Sequence, residues 1–136
     1  MATIVVGYDA SDSARAALER AIEVARAFGD EVLVVVAYDV NRQGGEVQDF
    51  AAALAERAER IVALARDQAS GLGAEIATEV VDARVADGIV ETADRVDARM
   101  IVVGSRGESP LRGALVGSTP HKLLQVAERP VLVVPA

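Results

Sequence analysis

Between Met100 and Lys122 the chain reads MIVVGSRGESPLRGALVGSTPHK. Gly104, Gly107, Gly113 and Gly117 punctuate this stretch, with Ser105, Ser109, Ser118 and Thr119 among them. Glycine tolerates positive φ and lets a ligand approach the backbone closely. Successive bare N–H groups can then converge on an anion, and the hydroxyls can donate to the same oxygens. Arg106, Arg112 and Lys122 against Glu108 make the stretch net positive, inside a chain with 21 acidic and 14 basic residues. Solubility needs no basic loop in an acidic protein, so an anionic ligand is the economical reading. A solvated surface loop is the alternative. Arg106 and Arg112 are candidates for charge-assisted contacts to phosphate, or are simply hydrated.

The elements on either side would position such a loop. Met100 to Val103 is a short apolar run that reads as a buried strand. Leu123, Leu124 and Ala127 fall at helical spacing after the loop, and a helix N-terminus favours an anion. Thr3 to Tyr8 is a near-continuous β-favouring run, as in a parallel strand covered on both faces. Asp9-Ala10-Ser11-Asp12-Ser13 supplies several N-caps, and Ala14, Ala17, Leu18, Ala21, Ile22 and Ala25 define one apolar helix face closed by Gly29. A second strand covers Val32 to Ala37 after Glu31. Asn41 to Gly45 is a loop, and a helix from about Asp49 to Ser70 carries Phe50, Leu54, Ala58, Ile61 and Ala65 inward. Glu75 to Val81 reads as a third strand, with Glu75 and Glu79 guarding a sheet edge. A helix over Val85 to Val96 follows, burying Ile89, Val90, Ala93 and Val96. The last helix, Ser118 to Ala127, leads to Pro130 and a terminal strand, Val131 to Val134. Strands alternating with helices indicate an open parallel sheet with helices on both faces.

Composition narrows the functions. A chain of 136 residues suits one domain. With no Trp, two Phe and two Tyr, stacking platforms for single-stranded nucleic acid are scarce. The net charge of −7 argues against nucleic acid and anionic membranes as partners. No cysteine is present, so disulfides, thiolate metal sites and a Cys nucleophile are excluded. No apolar run approaches the roughly 18 residues of a membrane span, and Met1-Ala2-Thr3 leads into a strand without a signal-peptide pattern. A cytoplasmic domain is expected. His121, the single histidine, has no partner set for a triad or metal site and reads as a surface residue of a helix.

The spacing Gly104-x2-Gly107-x9-Gly117-Ser118 resembles the nucleotide-binding motif of the universal stress protein family, in its ATP-binding branch. The resemblance extends from Val5-Val6-Gly7-Tyr8-Asp9 to Arg129-Pro130-Val131-Leu132-Val133-Val134 and covers residues 1–136 as one domain. It implies a Rossmann-like α/β fold with five parallel strands in the order 3-2-1-4-5. Asp9 and Gly104 would then end the adjacent first and fourth strands, flanking the crevice where the strand order reverses. Gly104, Gly107, Gly117, Ser118 and Thr119 are assigned to the triphosphate of ATP, with Arg106 and Arg112 beside it. Ala37 and Tyr38 resemble the family's backbone contact to adenine. Asp9 would be repelled by phosphate, so its target is ribose, adenine or a divalent cation, magnesium or manganese. Otherwise Asp9 is a turn residue bonding its own backbone. Two positions depart from the commoner pattern. Ala10 stands where glycine is frequent, and Pro120 removes a potential phosphate donor while suiting a first helical turn.

The function expected from this resemblance is an ATP-binding stress-response or signalling module, with at most weak ATPase activity. Enzymes of phosphoryl or nucleotidyl transfer are the alternative. The Asp9 to Ser13 segment faintly resembles the first-turn loop of ATP pyrophosphatases but lacks its paired glycines. No G-x4-G-K-[ST] motif occurs. A phospho-acceptor receiver or ligand-free dimeric scaffold is a third reading. Asp82 fits a receiver's acidic position, but no lysine follows the fourth strand before Lys122, and the glycine spacing has no role in it. The terminal strand, Val131 to Val134, carries no charge and is expected to pair with its copy in a homodimer, as the family commonly does.

Overall fold

The computed structural model describes residues 1–40, 48–106 and 118–136. In chain order the elements are β1 (Thr3–Gly7), α1 (Asp12–Phe28), β2 (Glu31–Tyr38), α2 (Gln48–Gly71), β3 (Ala77–Asp82), α3 (Val85–Arg95), β4 (Met100–Gly104), α4 (Ser118–Val126) and β5 (Val131–Val134). The strands form one sheet in the order β3-β2-β1-β4-β5, and every neighbouring pair is parallel. β1 lies at the centre, with Val5 opposite Leu33 on one side and Ile101 on the other.

Because successive strand residues face opposite ways, β1 serves two cores at once. Ile4, Val6 and Tyr8 pack with Leu18 and Ile22 of α1 and with Val62 and Ala65 of α2. Val5 faces the other layer, with Val35, Ile101, Ile89 of α3 and Leu123 of α4. All five residues of β1 are buried, which explains its near-continuous β-favouring run. α1 buries the predicted face together with Ser13. Ser11 caps its N-terminus by accepting the Ala14 N–H, and Gly29 closes it at φ 72°.

Three expectations need correction. β3 begins at Ala77, so Glu75 precedes the strand and does not guard its edge. Glu79 does lie in this edge strand, and one arginine from each helix layer bonds to a β3 side chain. Arg66 of α2 donates to Thr78 at 2.6 Å, and Arg95 of α3 donates to Glu79 at 2.6 Å. On α4 Pro120 and Leu123 are buried, while Leu124 is 63% exposed, since its neighbour already occupies the position facing the sheet. Val96 and Ala127 fall just beyond α3 and α4. Among the described residues no helix is long and apolar enough to cross a membrane.

Candidate functional site

The carboxyl ends of β1 and β4 open onto a crevice of about 490 Å3, its mouth included. Each wall is set by a close approach. A Cβ on Gly7 would lie 2.4 Å from Ile89 Cδ1, so a bare residue lets α3 press against the end of β1. A Cβ on Gly104 would lie 2.3 Å from Ser13 Oγ and 2.5 Å from the Ser13 carbonyl carbon. α1 therefore begins directly against the end of β4.

The turn joining β1 to α1 is built by its own side chains. Asp9 Oδ1 accepts the Ser11 N–H at 3.0 Å, the turn geometry that short acidic residues favour. Ala10 adopts φ 66°, a left-handed conformation costly for a residue with a Cβ. This is the position at which glycine would be unstrained. Tyr8, immediately before, points into the core; its hydroxyl donates to Gln68 at 3.1 Å, and burial pushes its pKa up. Gln68 in turn donates to the Arg15 carbonyl at 2.7 Å, tying α2 to the first turn of α1.

Of the sequence-predicted residues, Asp9, Ala37, Gly104, Arg106 and Thr119 line the crevice together. Tyr38 does not, and its carbonyl accepts the Ala83 N–H at 2.9 Å. Ser118 is exposed at the first position of α4. Gly107, Arg112 and Gly117, like Gly113, lie outside the described residues. Pro120 is buried in the first turn of α4 and lines the crevice beside Thr119. His121 is exposed. Val85 and Ile89 add an apolar wall; the sequence places Ile89 only in the core of α3 and Val85 only at its start.

Ser11 and Ser13, which the sequence marks only as helix caps, also bond to Arg106. Ser13, 4% exposed, donates to the Arg106 carbonyl and accepts the Arg106 N–H at 3.2 Å. Ser11 donates to the same carbonyl at 3.4 Å. Nothing in local sequence marks a contact across so long a stretch of chain.

Chemically, the crevice offers a carboxylate at one strand end, a guanidinium at the other, an apolar wall and a helix hydroxyl. Among the described residues no group of three or more His, Asp or Glu side chains could enclose a metal ion. Magnesium needs only one or two carboxylates when phosphates supply its other ligands, and Asp9 suits that lesser role.

A parallel sheet of this order with a crevice at its switch point defines the Rossmann-like class of ligand-binding domains. Within that class, the chain belongs to the universal stress protein family, whose model matches residues 1–135. A universal stress protein of Methanocaldococcus jannaschii is 31% identical over 136 residues, covering 96% of this chain and 80% of that protein. Among solved structures, a universal stress protein from Archaeoglobus fulgidus superposes with a TM-score of 0.82 at 29% identity, covering 98% of both chains. The Archaeoglobus fulgidus protein in complex with dAMP gives 0.75 at 29% identity, again over 98% of both. A universal stress protein in complex with cAMP gives 0.71 at 33% identity, covering 98% of this chain and 95% of the other.

Proposed function

We propose that this protein is an ATP-binding module serving stress response or signalling, and that it acts by binding rather than by rapid turnover. One observation carries the reading. Asp9 and Gly104, identified separately from sequence, meet with Arg106 and Thr119 in one crevice at the switch point. The relatives complexed with cAMP and dAMP support an adenine nucleotide as the ligand class. Adenine would lie toward Ala37 and the apolar wall of Val85 and Ile89, where its π face loses water. The phosphates would lie toward Gly104, Arg106 and Thr119, with Gly107, Arg112, Gly117 and Ser118 completing their shell. Asp9 would meet the ribose hydroxyls or a magnesium or manganese ion carried by the phosphates. The spacing of the glycine-rich stretch leaves room for a polyphosphate. No described side chain stands as a base for water, so hydrolysis should run well below roughly 1 per second, the low end of ordinary enzymes.

A second reading follows from those same relatives, whose ligands carry a single phosphate: a mononucleotide sensor. Calorimetry with ATP, ADP, AMP and cAMP, with and without magnesium, separates the two. ATP binding tightest supports the first reading, and cAMP or AMP binding tightest replaces it with the second. Gly117→Val should abolish binding while the circular dichroism spectrum stays unchanged. Equal binding by both proteins overturns the site.

A further inference from the structure

One buried hydroxyl holds both backbone polar groups of a single residue at the crevice. Ser13 Oγ–H donates to the Arg106 carbonyl, and the Arg106 N–H donates back to the same oxygen at 3.2 Å. The latch is backed by a second serine. Ser11 Oγ accepts the Ala14 N–H at 3.2 Å and donates to the Arg106 carbonyl at 3.4 Å. Gly104 makes the arrangement feasible, because a side chain there would occupy the space of Ser13. The first turn of α1 thus fixes φ and ψ at the point where the chain leaves β4.

Fixing a backbone fixes the direction in which its side chain departs. Arg106 is exposed and lines the crevice, and a residue on an unanchored backbone has that backbone freedom to lose when it is ordered. Anchoring its backbone leaves less freedom to be lost when an anion arrives. Resting on the nucleotide-binding reading above, we propose that Ser13 is a positioning residue for phosphate recognition, acting through the backbone of Arg106. Ser13 is buried and does not itself line the crevice. The ligand group it serves is a phosphate, so its contribution should appear with ATP and vanish with adenosine.

The test titrates both ligands into wild type, Ser13→Ala, Arg106→Ala and the double variant. Ser13→Ala should weaken ATP about tenfold, the effect of one unsatisfied polar group, and leave adenosine unchanged. Its loss should be absorbed in the Arg106→Ala background, giving a strongly non-additive cycle. Amide hydrogen exchange at Arg106 should speed up in the variant. Ser13→Cys replaces the hydroxyl with a larger atom that is a weaker donor, so it should shift ATP affinity the same way if the alanine variant folds poorly. Unchanged ATP affinity, equal losses for ATP and adenosine, or additive losses overturn the proposal. A wild type that binds neither ligand removes the nucleotide reading and this role with it. Arg106 exchange that stays slow in Ser13→Ala overturns the latch alone.

Discussion

Gly104 and Ser13 occupy space that cannot be shared: an added Cβ on the first would stand 2.3 Å from the hydroxyl oxygen of the second. The same Cβ would meet the Ser13 carbonyl carbon at 2.5 Å and the Ala14 nitrogen at 2.8 Å. Those are backbone atoms, so no rotamer change relieves the contact. Gly104→Ala is expected to destabilise the fold by about 2 kcal/mol or more, as overpacking does, before any ligand is added. Urea unfolding of the apoprotein measures it. An unchanged midpoint would mean that this glycine serves the ligand alone.

Ala10 offers the opposite change. Its left-handed φ of 66° costs about 1–2 kcal/mol in a residue with a Cβ, against roughly 0.5–1 kcal/mol of extra entropy lost by glycine. Ala10→Gly should therefore stabilise the protein by about 0.5–1 kcal/mol. Thermal unfolding reads this directly, and a lower midpoint would show the turn relaxing in some other way.

Asp9→Asn separates the turn from the ligand. An asparagine oxygen can still accept the Ser11 N–H, so stability should hold within about 0.5 kcal/mol. Affinity for ATP with magnesium should fall several-fold if the carboxylate meets ribose or cation. Unaltered affinity would leave Asp9 as a turn residue only.

Asp30 should contribute a pH response from the far end of the sheet. Arg99, bonded to its carboxylate, holds its pKa below the ordinary carboxylate value, aided by the Ala2 N–H at 2.9 Å. A depressed folded-state pKa gives stability that is fully present above the unfolded value of about 4 and lost as pH falls through the folded one. The wild-type melting temperature should drop on that acid limb. Asp30→Asn should melt lower at neutral pH and show a flatter limb, and parallel curves would assign the acid loss to other carboxylates.

Assembly is testable at β5, an edge strand with no charge. Ile101 and Ser105 donate to the carbonyls of Pro130 and Val134. By alternation along the strand, the peptide groups of Val131 and Val133 point away from β4. An antiparallel pair of β5 strands about a two-fold axis would satisfy them. Light scattering at micromolar concentration should give twice the chain mass, and Val133→Pro, which removes an outward N–H, should give the monomer. A monomeric wild type sinks the idea.

Periodicity made the architecture legible. β5 lies where its four apolar residues predict, and the buried face of α1 is the predicted one plus Ser13. β3 was misplaced because Glu75 and Glu79 suggested one charged face, while the strand begins two residues after the first of them. At the site, residue type located Asp9 and Gly104 and offered the turn bond that Asp9 makes, but not the close approach at Gly104. Gly104 looks like a phosphate-loop glycine, yet its neighbours within the fold already forbid a side chain. The Ser13 contact joins residues far apart in sequence, and no local pattern encodes such a meeting. The φ of Ala10 was legible only as a departure from a glycine expected by resemblance.

The central place of β1 also sets an order of events during synthesis. Ile4 pairs with Val32 on one side and with Met100 on the other. The first ladder can close once two strands and a helix have been made. The second must wait for β4, after α2, β3 and α3 have left the ribosome. Until then one flank of a strand that is fully buried in the finished fold has no permanent neighbour, the condition in which partly folded chains stick to one another. Closing so distant a pairing is slow for entropic reasons. Nascent chains halted before Met100 are thus the form of this protein most in need of a chaperone.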